Sequence, residues 1–329
     1  MTTNKRSAAT LATLSAMALL GTLAVPATAM AQAYPSKPVR IVVGFAPGGG
    51  VDINARLLSP RLGEFLGQSV IVENKPGAGT NIANDFVAKA APDGYTVLMN
   101  TAAVAINMSL YKNVPFDTVR DFAAVSIFST SPNVLVVNAA VPAKNVKEFI
   151  AYARSQPGKM NYSSAGAGTT QHLSAELLKT LTKTYIVHIP YNGSAPSLTG
   201  LVAGDVQMSF ANIPAISQFV KAGKLRALAL TGAKRSDQLP GVPTMKESGV
   251  DMNVDVWYGV LAPAKTPPAA VNKLAEGIAK VAREPEMVKR LVDLGAEPLG
   301  NSPEEFGKIL RAEVTTWAAV VKASGAVAE

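Results

Sequence analysis

The feature that most constrains this chain is a unit that recurs along it: a short apolar strand, a glycine-rich turn, then an amphipathic helix. Residues 39–45 (VRIVVGF) read as a buried strand ending in Ala46-Pro47-Gly48-Gly49-Gly50. Residues 52–66 follow as a helix, with Ile53, Leu57, Leu58, Leu62 and Phe65 close to helical spacing. The order repeats with a strand at 70–72, the turn Asn74-Lys75-Pro76-Gly77-Ala78-Gly79-Thr80 and a helix over about 81–90. After the turn Pro92-Asp93-Gly94, residues 95–99 are another buried strand. Strands that alternate with helices build βαβ units on a mostly parallel sheet, so the fold class is α/β.

The pattern then restarts. Residues 133–138 (NVLVVN) read as a strand, and Val146, Phe149, Ile150 and Ala153 mark one face of a helix. Next come a strand at 160–164, the turn Ala165-Gly166-Ala167-Gly168-Thr169 and a helix over 170–181. A strand at 185–189 leads through Pro190-Tyr191-Asn192-Gly193-Ser194-Ala195-Pro196 into a helix containing Leu201 and Val202. Two more strands fall at 206–210 and 226–231. The tetrapeptide Gly-Ala-Gly-Thr stands at 77–80 and again at 166–169, once in each half. A chain of 329 residues has room for two domains, and the restart predicts two similar lobes. Beyond Trp257 two long helices are expected. One carries Val271, Leu274, Ile278 and Val281; the other carries Phe306, Ile309, Leu310, Trp317, Val320 and Val321 behind the capping box Ser302-Pro303-Glu304-Glu305. Packed on the first lobe, these helices would make it discontinuous in sequence.

The chain begins with Lys5 and Arg6, an apolar stretch over 8–25, Pro26, and a run of small residues ending Ala31-Gln32-Ala33. This is the layout of a secretory signal peptide, cleaved after Ala33 or after Ala31. Ser, Thr and Gly interrupt the apolar run, which argues against a membrane anchor, and no later segment offers about eighteen uninterrupted apolar residues. The mature chain is therefore expected in the periplasm as a soluble protein. With Lys5 and Arg6 removed, the formal charge falls from +8 to +6. The remaining basic residues are scattered. The densest groups, Lys221, Lys224 and Arg226, then Lys234 and Arg235, lie among Gly and Ala without aromatic partners, so a nucleic-acid surface is not expected.

Composition removes much enzymology. With no cysteine there is no thiolate metal site, no cysteine nucleophile and no lipidated cysteine. His172 and His188 are the sole imidazoles, too few for a histidine metal cage. Neither a P-loop nor a dinucleotide fingerprint occurs, and there is no G-x-S-x-G elbow or H-E-x-x-H pair. What remains is the glycine turns. A strand entering a helix through such a turn leaves unpaired backbone N–H groups at the helix start, where the helix dipole adds partial positive charge. Each of the four turns, at 48–50, 77–80, 166–169 and 192–194, could serve only as a tight bend. Together, gathered at the C-terminal edges of parallel strands and bearing Thr80, Thr169 and Ser194 with Thr101 nearby, they fit the carboxylate of a small organic acid. Asp52 is read as a dipole partner of its helix or a ligand contact, and the two histidines as structural or acid–base groups. Tyr191 and Trp257 are read as cleft or core residues.

Several motifs resemble the Bug family, the periplasmic receptors of tripartite tricarboxylate transporters. They are Val-Gly-Phe-Ala-Pro-Gly-Gly-Gly-Val-Asp at 43–52 with Ala55-Arg56-Leu57, Val-Glu-Asn-Lys-Pro-Gly-Ala-Gly at 72–79, and Ala-Lys-Ala-Ala-Pro-Asp-Gly-Tyr at 88–95. Further along stand residues 163–169 with Gln171-His172-Leu173, Pro190-Tyr191 with Gly193, and Pro243-Thr244. Trp257-Tyr258-Gly259, Ala262-Pro263 and Thr266-Pro267 complete the set. Val51 and Thr80 depart from the family pattern, which often has Thr or Ser at the first position and glycine at the second.

The resemblance implies a two-lobed, type II periplasmic binding protein with a hinged cleft. It assigns 1–33 to the signal peptide, 34–131 plus 255–329 to lobe I, and 132–254 to lobe II. Carried over, the first-lobe ligand residues are Phe45, Ala46, Gly48, Gly49, Gly50 and Asp52, then Gly79, Thr80 and Asn81, with Thr101 and Ala102. The second lobe would add Ala165, Gly166, Thr169 and His172, then Tyr191, Asn192 and Ser194. The expected ligand is a di- or tricarboxylate, an amino acid or an aromatic acid, with no cofactor and no metal. The expected partner is a membrane permease of the tripartite tricarboxylate type, served by a monomer. A receptor presenting its closed form to a sensor protein, or an exported enzyme using His172 or Tyr191, are the alternatives.

Overall fold

Val39, Ile41, Val42 and Val43 are wholly buried and Arg40 between them is half-buried, the pattern of a strand inside a parallel sheet. This is β1 (Val39–Val43) in a computed structural model that describes residues 34–328. The expected signal peptide and its cleavage sites at Ala31 and Ala33 lie outside the described residues. From β1 the chain runs through α1 (Gly50–Leu66), β2 (Val70–Asn74), α2 (Asn81–Ala88), β3 (Thr96–Asn100) and α3 (Ala103–Leu110). It then enters β4 (Phe122–Asn138), followed by α4 (Val146–Ser155), β5 (Asn161–Ser164), α5 (Thr170–Thr182), β6 (Val187–Pro190) and α6 (Ser194–Ala203). Next come β7 (Met208–Asn212), α7 (Ile213–Lys221), β8 (Leu225–Leu230) and β9 (Asp255–Pro263). The chain closes with α8 (Pro268–Ala282), α9 (Pro285–Asp293), β10 (Glu297–Pro298) and α10 (Pro303–Ser324).

The strand order is β2-β1-β3-β9-β4-β7-β5-β6, with β10 and β8 paired to β4 off that path. Strand β1 is parallel to β2 and β3, and β5 is parallel to β6 and β7. The middle is antiparallel, because β9 pairs antiparallel with β3 and β4, and β4 with β7. The sheet is thus mixed, parallel at each flank and antiparallel where the chain crosses between halves. Strand β4 is the crossing. Ser131 and Pro132 are opposite Val256 and Asp255 of β9, and the next residue, Asn133, is opposite Asn212 of β7. A proline cannot donate to a ladder, and Pro132 sits where the ladder changes partner.

Several features differ from the sequence reading: the sheet is mixed rather than mostly parallel, and α7 and β9 are additional elements. Strand β4 begins at Phe122, well before the expected strand at 133–138, and Ser126, Ser129 and Ser131 are buried in the sheet. Helix α3 has almost no polar face, and without an amphipathic contrast its period is invisible. The end of the chain holds three helices, since α9 starts on Pro285 directly after α8. Helix α8 packs on α1 and β4, while α10 packs on α3 and β4 and reaches α5 of the other half. Trp257 is core: it is buried and meets Phe306 of α10 edge-on at 5.0 Å between ring centroids.

Candidate functional site

Every parallel strand ends where a helix begins, and those junctions face one another across a cleft. On the first wall, α1 starts at Gly50 behind Gly49, and no side chain caps it. On the opposite wall, α6 starts at Ser194 behind Gly193 and α7 at Ile213 behind Asn212, again without a side-chain cap. Helix α5 also starts on this wall but is capped by Thr169, as α4 and α10, away from this region, are by Asn145 and Ser302. Uncapped starts leave N–H groups for another acceptor. Their dipoles converge on a cavity of about 80 Å³, room for roughly six water-sized spheres.

The cavity is lined from the first wall by Phe45, Ala46, Pro47, Gly49, Gly50, Val51 and Thr101. The second wall adds Ala165, Thr169, Thr170 and Gln171, then Asn192 through Pro196, with Asn212, Val256 and Tyr258 at the crossing strands. A neighbouring compartment of about 440 Å³ shares Phe45, Ala46, Ala165, Thr169, Asn192 and Gly193, and adds the turn from Pro76 to Thr80, Gly166 and Tyr191. Among the described residues, no Lys, Arg, Asp, Glu or His lines either compartment. Positive potential here comes from backbone.

Side chains behind the walls fix those backbones. Asp52 is buried; its Oδ2 accepts the Gly48 N–H at 2.9 Å, its Oδ1 accepts Asn74 Nδ2 at 2.9 Å, and Arg56 Nε donates to both oxygens at 3.0 Å. Burial opposes the charge on Asp52, but hydrogen bonds from Arg56, Gly48 and Asn74 outweigh it and hold the pKa below the usual value. In the second turn, Thr80 Oγ1 accepts from Asn84 Nδ2 at 3.1 Å and Asn100 Nδ2 at 3.2 Å. Asn107 Nδ2 donates to Gly79 O at 2.6 Å and Asn81 Oδ1 at 2.7 Å. Thr80 holds this turn at φ +83°, the left-handed region that glycine enters freely.

The second-lobe turn rests on aromatic rings. His172 and His188 stack with centroids 4.1 Å apart, and Tyr162 stacks on His188 at 4.7 Å. His172 Nδ1 accepts the Gly168 N–H at 3.2 Å, and His188 Nε2 is 2.7 Å from Ser164 Oγ. Tyr162 donates to Glu176 Oε1 at 2.5 Å, and Lys179 Nζ donates to the same oxygen at 2.6 Å. Burial, with a smaller push from Lys179, lowers the His172 pKa to about 4; burial, then His172, lower that of His188 to about 3. Both rings are neutral at pH 7 and act as a cushion for the turn.

The sequence expectation is thus sorted. Phe45, Ala46, Gly49, Gly50, Thr101, Ala165, Thr169, Asn192 and Ser194 meet around the first cavity, and Gly79, Thr80, Gly166 and Tyr191 around the second. Gly48, Asp52, Asn81, Ala102 and His172 line neither: Gly48 and Asp52 bond each other, Asn81 bonds Asn107, Ala102 is buried and His172 faces the underside of the turn. Gln171 and Tyr258, absent from the expected site, also line the first cavity. Each adjoins a residue with a more conspicuous side chain, His172 or Trp257, and only the fold shows which of each pair reaches the cleft. Gln171 Oε1 accepts the Ala165 N–H at 2.8 Å.

Two α/β halves joined by crossing strands, with uncapped helix starts facing each other over a neutral cleft, define a two-lobed binding protein of the periplasmic type. Residues 54–326 match the family model of the tripartite tricarboxylate transporter family receptor, and the chain belongs to that family of solute-binding receptors. BugT of Bordetella pertussis is 34% identical over 310 residues, covering 93% of this chain and 95% of BugT. The solved structure of R. palustris Rpa4515 with adipate superposes with a TM-score of 0.85 at 37% identity, covering 89% of this chain and 99% of that one. MatC (Rpa3494) from Rhodopseudomonas palustris, with bound malate, gives 0.82 at 31% identity, covering 88% and 100%.

Proposed function

We propose that the mature protein is a periplasmic receptor that closes on a small organic dicarboxylate and delivers it, as a monomer, to a membrane permease of the tripartite tricarboxylate type. The observation that carries this reading is the neutral cleft faced by the starts of α1, α6 and α7. Oriented N–H groups stabilise an anion without a counter-ion. An ammonium group would meet the same positive helix ends with no acidic side chain in the lining, which disfavours amino acids. Adipate in one relative and malate in another support an acid with two carboxylates. The proposed lobes are 34–131 plus 255–329 and 132–254, hinging where β4 exchanges β9 for β7. The histidines are engaged beneath the turn, so binding without turnover is the natural use of the cleft.

The test is a thermal-shift screen of mono-, di- and tricarboxylates, amino acids and sugars, followed by mass spectrometry of acid that co-purifies. A ligand at 100 times its Kd should add about 2.7 kcal/mol of stability. Silence toward every carboxylate with a clear response to a sugar or cation overturns the reading. Mass analysis of protein recovered from the periplasm should show a chain starting at Tyr34 or Gln32; an uncleaved chain in the cytoplasm refutes the location.

A further inference from the structure

The positive charge that remains after Lys5 and Arg6 are removed is not spread over the molecule. Residues 132–254 hold twelve Lys and Arg against six Asp and Glu, whereas 34–131 with 255–329 hold seventeen of each. The second half therefore carries the whole excess, and the topology gathers it at one edge. Strands β5, β6 and β7 are parallel and finish at turns that line the cleft, so all three begin at the opposite edge. The end of β4 and the start of β8 join them there, because Val137 is opposite Met208 and Asn138 opposite Leu225. Five strand ends side by side make a strip roughly 20 Å long. Around it stand Lys144, Lys147, Lys159, Lys183, Lys221 and Lys224, all exposed, with Arg154 and Arg226; the acids at this edge are Glu148 and Asp205. Arg226 Nη1 donates to the carbonyls of Val141 and Ala143 at 3.1 and 2.8 Å, which holds the Lys144 loop beside β8. The Gly158 N–H donates to Tyr185 O at 3.0 Å, which holds the Lys159 turn beside Lys183. Basic residues that are scattered in the sequence thus share one surface.

Folding does not account for these lysines. Lys179 pairs with Glu176 at 2.6 Å, but none of the six pairs with an acid among the described residues. Lys183 and Lys221 close α5 and α7, where a cation complements the helix dipole. Lys144 and Lys147 flank the start of α4, where the dipole disfavours a cation, and Lys159 lies in a turn. Apolar side chains stand among them: Tyr185 is 64% exposed, and Leu181 and Val187 are exposed as well. Both arginines are engaged by backbone, Arg226 as above and Arg154 through Nε and Nη2 on Thr182 O at 3.1 and 2.7 Å. The guanidinium forks suited to bidentate pairing with a protein partner's carboxylates are therefore occupied. What faces solvent is a set of mobile point charges around a tyrosine and two aliphatic tips, which matches a diffuse anionic surface with an apolar interior.

We propose that this edge of the second half is a membrane-surface contact, through which the receptor associates reversibly with anionic phospholipid headgroups. The lysines meet the phosphates, and Tyr185 with its neighbours enters the interfacial layer. The cleft lies at the other ends of the same strands, so the contact leaves ligand binding unchanged. Its use is to concentrate the receptor at the plane in which a permease stands.

The experiment is cosedimentation of the mature chain with vesicles of phosphatidylcholine alone or with one-third phosphatidylglycerol. It is run at about 0.01 M and 0.15 M salt, where the Debye length is about 30 and 8 Å. Anionic vesicles should capture the protein at the lower salt and neutral ones should not, with affinity falling tenfold or more at the higher salt. A lysine at an anionic surface is worth about fivefold, so the variant Lys144→Gln/Lys147→Gln/Lys221→Gln/Lys224→Gln should lose about 100-fold or more. The same four changes at Lys112, Lys265, Lys289 and Lys322, exposed lysines of the first half, give an equal net charge and should lose little. Tyr185→Ser should lose about fivefold at either salt, since burial of its ring is not screened. No capture by anionic vesicles at the lower salt, or equal losses in the two four-lysine variants, overturns the inference. Capture by immobilised polyglutamate without capture by vesicles also overturns it, and assigns the edge to an acidic protein instead. Calorimetry with adipate tests the carboxylate reading separately, and the four-lysine variants should match wild type there; loss of adipate affinity in the Lys144 set would show that the edge is not independent of the cleft and would overturn the inference as well.

Discussion

Acidification from pH 7 to pH 5 should destabilise the protein by about 4 kcal/mol, through its two histidines. His172 and His188 are held near 4 and 3 by burial, whereas in an unfolded chain each titrates near 6.5. A base with a depressed folded pKa stays neutral when folded and takes up a proton on unfolding. Its contribution is whole above about pH 6.5 and is lost as pH falls toward the folded value. At pH 5 protonation favours the unfolded state about thirtyfold per histidine, about 2 kcal/mol each. Against a total stability of about 5–15 kcal/mol, that is a large share. The chain has two histidines and no cysteine, and carboxylates such as Asp52 and Asp121, with lowered pKa values, respond only at lower pH. Asp255 and Glu313, raised by burial, act with the opposite sign, so the comparison is with His172→Gln/His188→Gln. Urea unfolding at pH 7 and pH 5 should show the loss in wild type and little of it in the double variant. Equal losses in the two proteins would refute the reasoning.

Three further perturbations bear on the walls of the cleft. Gly168→Ala places a Cβ against Asn107 Oδ1 of α3 at a backbone φ of +81°, so affinity for the best carboxylate should fall about tenfold or more; unchanged calorimetric affinity would contradict the close approach of the second-lobe turn to α3. Asp52→Ala strips acceptors from the Gly48 N–H and Asn74 Nδ2 and should cost about 2 kcal/mol in denaturant unfolding, with weaker binding, because the Phe45–Gly50 loop loses its brace. Ser302→Ala removes the capping box of α10 and should cost about 1 kcal/mol, or roughly 2 °C in melting temperature, while calorimetric affinity stays at the wild-type value.

The cleft was legible in the sequence where chemistry coincides with backbone. A glycine turn between an apolar strand and a helix announces exposed N–H groups whatever the neighbours are, and Gly49, Gly50, Gly79, Gly166 and Gly193 all border the two compartments. Side-chain roles were harder to read. Asp52 looks available to a ligand at its helix start, yet Arg56 one turn on and Asn74 at the end of β2 consume its carboxylate. His172 looks like a ligand group beside Thr169, but a helix side chain three residues past the cap points beneath the turn and finds His188.

What the chain determined by itself is local and periodic. The apolar runs, the turns and the doubled Gly-Ala-Gly-Thr impose strands that end in helix starts, because backbone dihedrals and amphipathic spacing act within a few residues. What only tertiary structure decided is which faces meet. Strand β4 is one element because β9 and β7 pair with its two ends, and no residue of β4 carries that information alone. Tyr258 reaches the cavity while adjacent Trp257 packs on Phe306 because successive strand residues face opposite sides; which side is cleft depends on α10, some fifty residues away in the chain. The starts of α1, α6 and α7 meet for the same reason: the crossing strands bring three distant helix starts to a common cavity.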